Sequence, residues 1–511
     1  MHGRTTWFVD HELRRGRASR RDREPRSRSA LGSERLLLTL LAVGVLALYL
    51  ALERGRIPSW DGRAIASVGQ SLWLHGSVKE CCNAFHAFPL DQLPYSKYGI
   101  GLSLLLAPLW GLQLQTHPGG AVWLGLANPL LLVGTTVVIA KIGIALRWRM
   151  STAVLTALAF ALLTMAPMYS TEFFAEPGVT FGAAVALYGF VVWPTGRARG
   201  AIWVGVGVAI AVVFRADSLL LVMPIVPALA LHGGFRVRPA IWLRRVLGLA
   251  VPIGAAVAWT LAYDNIRFGN PLRFGYNGPY DRLGFSTPLL HGIAVLLWSP
   301  GKSLFLYSPI LIVALPGLWF LARTHRPVAL AVVLLCVVRV CFVARWWTPE
   351  GGEAWGPRFL LPLCALLAIP LGAAIERLRG SGGAARVAAL LGVSGLAIAS
   401  VVVQFASVAV PYRAVFGPIF NVASVPVPLR HAVQDARYRR YIWTLDGNHL
   451  VWNLHHLASA HWADLYWFRH GPTVFGVAML LLAVAGCSAT VVLALRFHDH
   501  ADAPPTLGAH G

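Results

Sequence analysis

Residues 36–52 read LLLTLLAVGVLALYLAL and are followed at once by Glu53-Arg54-Gly55-Arg56 and then Ser59-Trp60-Asp61-Gly62. An α-helix rises about 1.5 Å per residue, so this run would extend about 26 Å, close to the roughly 30 Å hydrocarbon core of a bilayer. It carries no charge, and arginines stand at both ends. It therefore reads as a spanning helix that delivers a polar loop to the far side.

The same signature recurs along the chain. Apolar runs lie at 99–114, 121–140, 151–168, 178–193, 200–214, 218–231, 246–262, 303–322, 327–343, 359–375, 387–410 and 473–495, with a shorter run at 289–298. The composition agrees: 56% of the 511 residues are apolar and 13% charged, against about 45–50% and about 25% in soluble domains. We expect an all-α polytopic membrane protein with about 12 to 13 transmembrane helices. The expected layout is a basic tail at 1–35, a membrane core at 36–410, an outer loop at 411–472, a last spanning helix at 473–495 and a short tail at 496–511.

A net charge of +22 is compatible in principle with binding nucleic acid, but its distribution argues against that. Ten arginines fall between Arg4 and Arg35, and most others sit in short loops between apolar runs, as in loops retained on the cytoplasmic side. The tail is expected to stay attached, because 36–52 is too long for the apolar region of a cleaved secretory signal. The cysteines predict no disulfide framework. Cys336, Cys341, Cys364 and Cys487 lie in apolar runs as small hydrophobes, and the adjacent Cys81 and Cys82 would form only a strained bridge.

Topology follows from parity. With the tail cytoplasmic, Arg147 and Arg149 should be cytoplasmic too, yet three apolar runs separate them from it. The run 99–114 is short and contains Pro108, so we expect it to dip into or lie along the outer face instead of crossing. Arg197/Arg199, Arg236 to Arg245, Arg323/Arg326, Arg377 to Arg386 and Arg496 then fall inside. The loops 53–98, 169–177, 263–288, 344–358 and 411–472 fall outside, and they hold nearly all the reactive side chains.

Six stretches at outer-loop edges carry the chemistry: Ser59-Trp60-Asp61-Gly62, Pro94-Tyr95-Ser96-Lys97-Tyr98-Gly99, Thr171-Glu172-Phe173-Phe174-Ala175-Glu176-Pro177, Asn265 to Pro271, Ser299 to Phe305, and Trp347 to Arg358. Asp61 is also suited to cap a helix beginning at Gly62, and Glu176 to place a charge favourably at a helix N-terminus. In order and spacing, these stretches resemble the GT-C superfamily of membrane glycosyltransferases, in the branch of protein O-mannosyltransferases and the aminoarabinose transferases that modify lipid A. The likeness runs from about Trp60 to Pro362 and leaves the C-terminal third unmatched. It implies a GT-C type fold with its active site in extracytoplasmic loops, Asp61 and Glu176 as the catalytic acids, and Lys97 on the phosphate of a lipid-linked donor. Where the branch has Lys-Pro-Pro, this chain has Lys97-Tyr98-Gly99.

A separate argument rests on charge. Ionisable groups at membrane depth cost about 2.5 to 3.5 kcal/mol on insertion scales and mark substrate paths. Arg215, Arg339, Arg345 and Arg358 would lie towards the outer face, against the inside bias, where a polyprenyl phosphate would supply anions for bidentate contact. We expect these four, with Lys97, Glu172 and Glu353, to contact substrate. His431, His449, His455, His456, His461 and His470 lack metal-ligand spacing and are expected to be neutral side chains of a solvated lid. Trp443, Trp452, Trp462 and Trp467 would form an interfacial belt or a surface for stacking sugars. The residues leave a divalent cation undecided. No phosphate-binding loop of the Walker type and no Gly-x-Ser-x-Gly elbow occurs, and no inner loop is long enough for a nucleotide-sugar site, so the donor should already be lipid-linked.

The expected function is inverting transfer of a sugar from a polyprenyl-phosphate-linked donor in the cell (inner) membrane to an envelope glycan, lipid or protein. The alternative is a transporter or flippase for a lipid-linked or anionic substrate, whose signature of internal repeats is not visible here.

Overall fold

The computed structural model describes residues 28–80, 95–116, 120–195, 199–231, 239–276, 284–380, 382–411, 415–421, 425–457, 465–469 and 471–501. The arginines up to Arg26, Cys81, Cys82, Pro94, Arg197, Arg236, His461, Trp462, His470 and the tail beyond residue 501 lie outside the described residues. Among the described residues the regular structure is helical throughout, with no strand. Without water to receive backbone N–H and C=O groups, a bilayer admits a spanning segment only when it bonds to itself, and the uncharged runs of this chain do so as helices.

The chain enters on α1 (Arg28–Ala51) and continues through α2 (Trp60–His75), α3 (Gly101–Thr116), α4 (Ala127–Ala145), α5 (Met150–Leu163), α6 (Glu176–Val192), α7 (Arg199–Phe214), α8 (Val222–Leu231) and α9 (Pro239–Phe268). It goes on through α10 (Leu289–Leu297), α11 (Ala314–Thr324), α12 (Arg326–Arg345), α13 (Leu361–Arg379), α14 (Gly383–Ala409), α15 (Arg430–Trp443), α16 (His449–His456) and α17 (Thr473–Ala501). Among the described residues, seven helices are long and apolar enough to cross a membrane, and five shorter apolar helices stand beside them. The fold is all-α and polytopic.

Burial separates core from rim. The most apolar window of the α13 span is 89% buried, against 11% for α9, 17% for α14 and 22% for α17. So α13 forms the centre of the bundle, and the other three turn apolar faces such as Trp242, Val251, Ile398 and Leu481 outward, as a lipid-facing rim requires. Lipid gives little hydrophobic drive for helix to meet helix, so close approach depends on small residues. Between α6 and α7, a Cβ on Gly189 would lie 2.4 Å from the Val204 backbone nitrogen, and one on Gly207 2.3 Å from that of Ala186. The two backbones pack directly on each other.

Several apolar runs differ in form from the sequence expectation, among them 303–322 and 246–262. The run 303–322 breaks into Leu304–Tyr307, a 3-10 turn at Pro309–Val313, and α11. Pro309 supplies no N–H and forces Ser308 out of helical geometry, to φ −148° and ψ 68°. The Ile310 N–H freed by this break donates to Ser400 Oγ of α14 at 2.9 Å. Conversely, α9 runs past residue 262 to Phe268, where Asp264 and Arg267 pair one turn apart. The outer loop expected from residue 263 thus begins only after Phe268.

The N-terminal ends of α2, α6 and α13 and the C-terminal ends of α7, α9 and α12 meet at one end of the bundle. The described parts of 411–472 fold against the same end. Gly301 N–H bonds to Ile442 O at 2.9 Å, Asn453 Nδ2 to Ala406 O at 2.8 Å, and Trp467 Nε1 to Leu50 O at 2.7 Å. This corrects the solvated-lid reading for His449. It is fully buried, with Nδ1 2.8 Å from the Tyr441 hydroxyl and its ring stacked on Trp355.

Helix α3 has 16 residues with Pro108 inside, or about 24 Å at 1.5 Å per residue, short of the roughly 30 Å core. It packs along α2 instead of extending alone: Ser103 Oγ donates to Ile65 O at 2.8 Å and Trp110 Nε1 to Ala66 O at 2.8 Å. Under the topology that keeps α3 from crossing, a cysteine placed beside Arg147 should not react with an impermeant thiol reagent in intact cells and should react after permeabilisation. Labelling in intact cells would invert every assignment from that point on.

Candidate functional site

The site begins where α1 ends. Ser59, not Asp61, caps α2: its Oγ accepts from Gly62 N–H at 3.0 Å. Asp61 falls in the first turn with its carboxylate turned aside, and Oδ2 accepts from Arg358 Nη1 at 2.7 Å. The capping role considered for Asp61 is therefore filled by its neighbour two residues earlier. Burial alone would raise the Asp61 carboxyl. The Arg358 guanidinium, the Tyr98 hydroxyl and Lys97 outweigh burial and hold it below the ordinary aspartate range.

Lys97 and Tyr98 are held from behind by the Asn265 to Pro271 stretch. Arg267 donates to the carbonyls of Ser96 and, at 3.1 Å, of Tyr98, pairs with Asp264, and stacks on the Tyr263 ring at 3.8 Å. Lys97 Nζ stands 5.5 Å from the centre of the Tyr276 ring and 5.6 Å from that of Tyr98, so the ammonium faces two aromatic surfaces.

Glu176 opens α6 and is buried, and its Oε1 accepts from Arg215 Nη1 at 3.1 Å. Arg215 Nε donates to Asp217 Oδ1 at 3.0 Å, and Arg339 Nη1 donates to Asp217 Oδ2 at 2.6 Å. Arg339 also donates to the Phe359 carbonyl at 3.0 Å. The Phe359 ring lies under both Arg215 (4.8 Å) and Arg358 (4.9 Å), and Phe174 covers Arg358 at 4.6 Å. Opposite charges alternate here, as burial requires, since an uncompensated ion at this depth would cost several kcal/mol.

Lys302, within the Ser299 to Phe305 stretch, explains the glycines of the 347–358 loop. Its buried Nζ donates to the carbonyls of Gly352 (2.9 Å), Ala354 (2.5 Å) and Gly356 (3.2 Å). To aim three carbonyls at one ammonium the chain must take left-handed turns, with φ at 66° for Gly352 and 57° for Gly356. The loop so braced presents Glu353 and Arg358 to the site, and Glu350, whose Oε1 accepts from Thr348 Oγ1 at 2.7 Å and from the Tyr438 hydroxyl of α15.

These groups line one cavity of about 2170 Å³, larger than the roughly 300–1,000 Å³ of a usual small-molecule pocket. Asp61, Lys97, Glu176, Arg215, Glu353 and Arg358 are all in its wall. The same lining carries an apolar set, Val213, Val222 and Met223 together with Leu249, Ala250 and Ile253 of α9. The remaining expected contacts stand elsewhere. Glu172 is buried behind the wall against Arg54 at 3.3 Å, Arg339 lies behind it on Asp217, and Arg345 is directed to the Phe285 carbonyl at 2.9 Å. The wall tryptophans are Trp60, Trp346 and Trp347, whereas Trp443 and Trp452 lie outside it. No group of three His, Cys, Asp or Glu side chains suited to a metal occurs among the described residues.

Sequence reading did not single out Asp217, Phe359, Glu350 or Tyr438. Asp217 had a signal, an acid two residues from Arg215 at the mouth of an apolar run. Tyr438 had none, because only folding brings α15 to the cavity.

No family model matches the sequence, and no curated protein is similar to it. Solved structures are. ArnT from Cupriavidus metallidurans bound to undecaprenyl phosphate aligns over 91% of this chain and 77% of its own, at 16% identity and a TM-score of 0.50. This chain has a GT-C fold. The apo form of the same ArnT aligns over 92% and 78% at 16% identity with a TM-score of 0.48. The archaeal oligosaccharyltransferase AglB from Archaeoglobus fulgidus, in complex with an inhibitory peptide and a dolichol-phosphate, aligns over 80% and 60% at 13% identity with a TM-score of 0.48. The GT-C fold thus extends well past Pro362, where the sequence likeness ended.

Proposed function

We propose that this protein transfers a sugar from a polyprenyl-phosphate-linked donor to a hydroxyl of an envelope glycan, lipid or protein. The observation that carries this reading is a single cavity whose lining joins an apolar set of side chains to Asp61, Lys97 and Arg358. A lipid-linked sugar has the same two-part chemistry, a long apolar tail and a phosphate ester. The ArnT structure that shares the fold was solved with undecaprenyl phosphate bound.

In this reading the tail lies between α8 and α9, and the phosphate faces Lys97 and Arg358. Asp61 takes the proton of the acceptor hydroxyl as its oxygen attacks the anomeric carbon. The bond from that carbon to the phosphate oxygen breaks, and the oxygen leaves with the electron pair, stabilised by the two cations. Attack opposite the leaving group inverts the anomeric centre. Glu176, fixed by Arg215, orients the acceptor or the sugar, and Glu353 offers an acceptor for sugar hydroxyls. The cavity end of the bundle faces the extracytoplasmic side with the N-terminus inside, and α15 lines it through Gln434, Asp435 and Tyr438.

The test is incubation of the purified protein with polyprenyl-phosphate-linked hexoses and pentoses and a mixture of envelope acceptors. Release of polyprenyl phosphate together with labelled acceptor is the expected result. Movement of an intact donor across proteoliposomes without any release would replace transferase by transporter.

A further inference from the structure

Asp217 stands between two arginines, and only one of them faces the cavity. Its Oδ1 takes Arg215 Nε at 3.0 Å and its Oδ2 takes Arg339 Nη1 at 2.6 Å. Arg215 is in the cavity wall and Arg339 is 7% exposed behind it. Arg215 is further shared with Glu176 at 3.1 Å, so the row Glu176–Arg215–Asp217–Arg339 carries two negative and two positive charges. Arg358, which is also over the Phe359 ring, pairs with a single carboxylate among the described residues, that of Asp61, and its Nε is buried without a hydrogen bond. A chain holding only 22 acidic residues has spent one of them on cancelling cations beside a cavity proposed to bind an anion.

We propose that Asp217 is a positioning residue that sets where the phosphate binds: by neutralising the Arg215–Arg339 pair, it leaves the Arg358–Lys97 side, next to Asp61, as the preferred anion site. Asp217 touches no reacting atom in this scheme and acts through Arg215. Without its charge, Arg215 would keep only Glu176 and Arg339 would lose its carboxylate, and Arg215 in the cavity wall would become a second anion site. This inference rests on the reading of the cavity as a phosphate site, and its first measurement does not depend on sugar transfer.

The full-length protein in detergent is titrated with undecaprenyl phosphate, with the uncharged polyprenol as control, and binding is followed by tryptophan fluorescence. Asp217→Asn should bind undecaprenyl phosphate about tenfold more tightly than the parent, the scale of one added charge at roughly 10 Å and an effective dielectric near 20, with polyprenol binding unchanged. Asp217→Glu should bring affinity back towards the parental value. A folded Asp217→Asn protein with equal or weaker phosphate-lipid affinity overturns the proposal, since a merely structural aspartate would give that result and not a gain. Should Asp217→Asn not fold, the charge-compensated pair Asp217→Asn with Arg339→Gln is used. Parental affinity supports the assignment, and a tenfold loss would make Arg339 a phosphate ligand and overturn it. Where the parent transfers sugar, Asp217→Asn should do so about tenfold more slowly despite binding more tightly, because the phosphate rests away from Asp61. A parent that transfers no sugar defeats the transferase reading alone, and the binding measurement still decides the role of Asp217.

Discussion

Asp61→Asn should leave the protein folded and lower sugar transfer by about a hundredfold to ten-thousandfold, the usual loss when a general base is removed. The fold should survive because Ser59 caps α2, and because the amide oxygen of the substituted side chain would still accept a hydrogen bond from Arg358, which stands 2.7 Å from the carboxylate in the parent. What an asparagine lacks is the ability to take a proton from an acceptor hydroxyl. Donor binding should hold or tighten, since Arg358 loses its competing anion. Initial rates of transfer, set beside the affinity for undecaprenyl phosphate, check both halves. A well-folded variant that transfers at nearly the parental rate would remove Asp61 as the base and with it the proposed mechanism.

Arg358→Ala should be as damaging by a different route. It removes a phosphate ligand, empties the slot between Phe174 and Phe359, and strands the Asp61 carboxylate without its strongest cation. Breaking a mostly buried pair on one side costs about 3 kcal/mol, so a lower thermal midpoint is expected along with weaker donor binding. The pH dependence separates this from simple destabilisation. Burial raises the Asp61 carboxyl and Arg358 is the first of the groups that pull it down. With that cation gone, Asp61 should protonate at higher pH, and the acid limb of the kcat/KM profile should move to higher pH. The sign for stability runs the same way. Because the folded-state pKa of Asp61 lies below its unfolded value of about 3.9, the parental pair stabilises the fold above that pH and loses its contribution as pH falls through the folded value. Arg358→Ala should lack that acid-dependent loss. An unshifted acid limb in a folded Arg358→Ala protein would separate Arg358 from the base.

Asp61, Arg358 and Asp217 all stand near the edges of apolar runs, and there is a physical reason why such positions are legible in the sequence. Asp61 follows a spanning run by nine residues, and Arg358 opens another run. Charge at the edge of an uncharged segment is conspicuous because lipid excludes it elsewhere. The same contrast draws attention to Arg339 with a different outcome. Its position in the α12 run marks it as costly, and the cost is offset by Asp217 and the Phe359 carbonyl. Glu172 is a parallel case, with Arg54 reaching it across 118 positions of sequence. A sequence shows that a buried charge needs a partner. It does not show which partner.

The sequence by itself determined that this is an all-helical membrane bundle, where most of its apolar helices lie, and that its reactive side chains sit near loop edges, because water and lipid impose those features on each segment separately. Tertiary structure alone decided which charges face a common cavity. The pairing of Asp61 with Arg358 spans 297 positions, and Tyr438 reaches Glu350 across 88. It also decided that the described parts of 411–472 pack against the helix ends, with His449 buried among them. These are choices among partners that local propensity leaves equivalent, and they are made by the packing of helix against helix, where the glycines of α6 and α7 and the three carbonyls around Lys302 leave room for one arrangement.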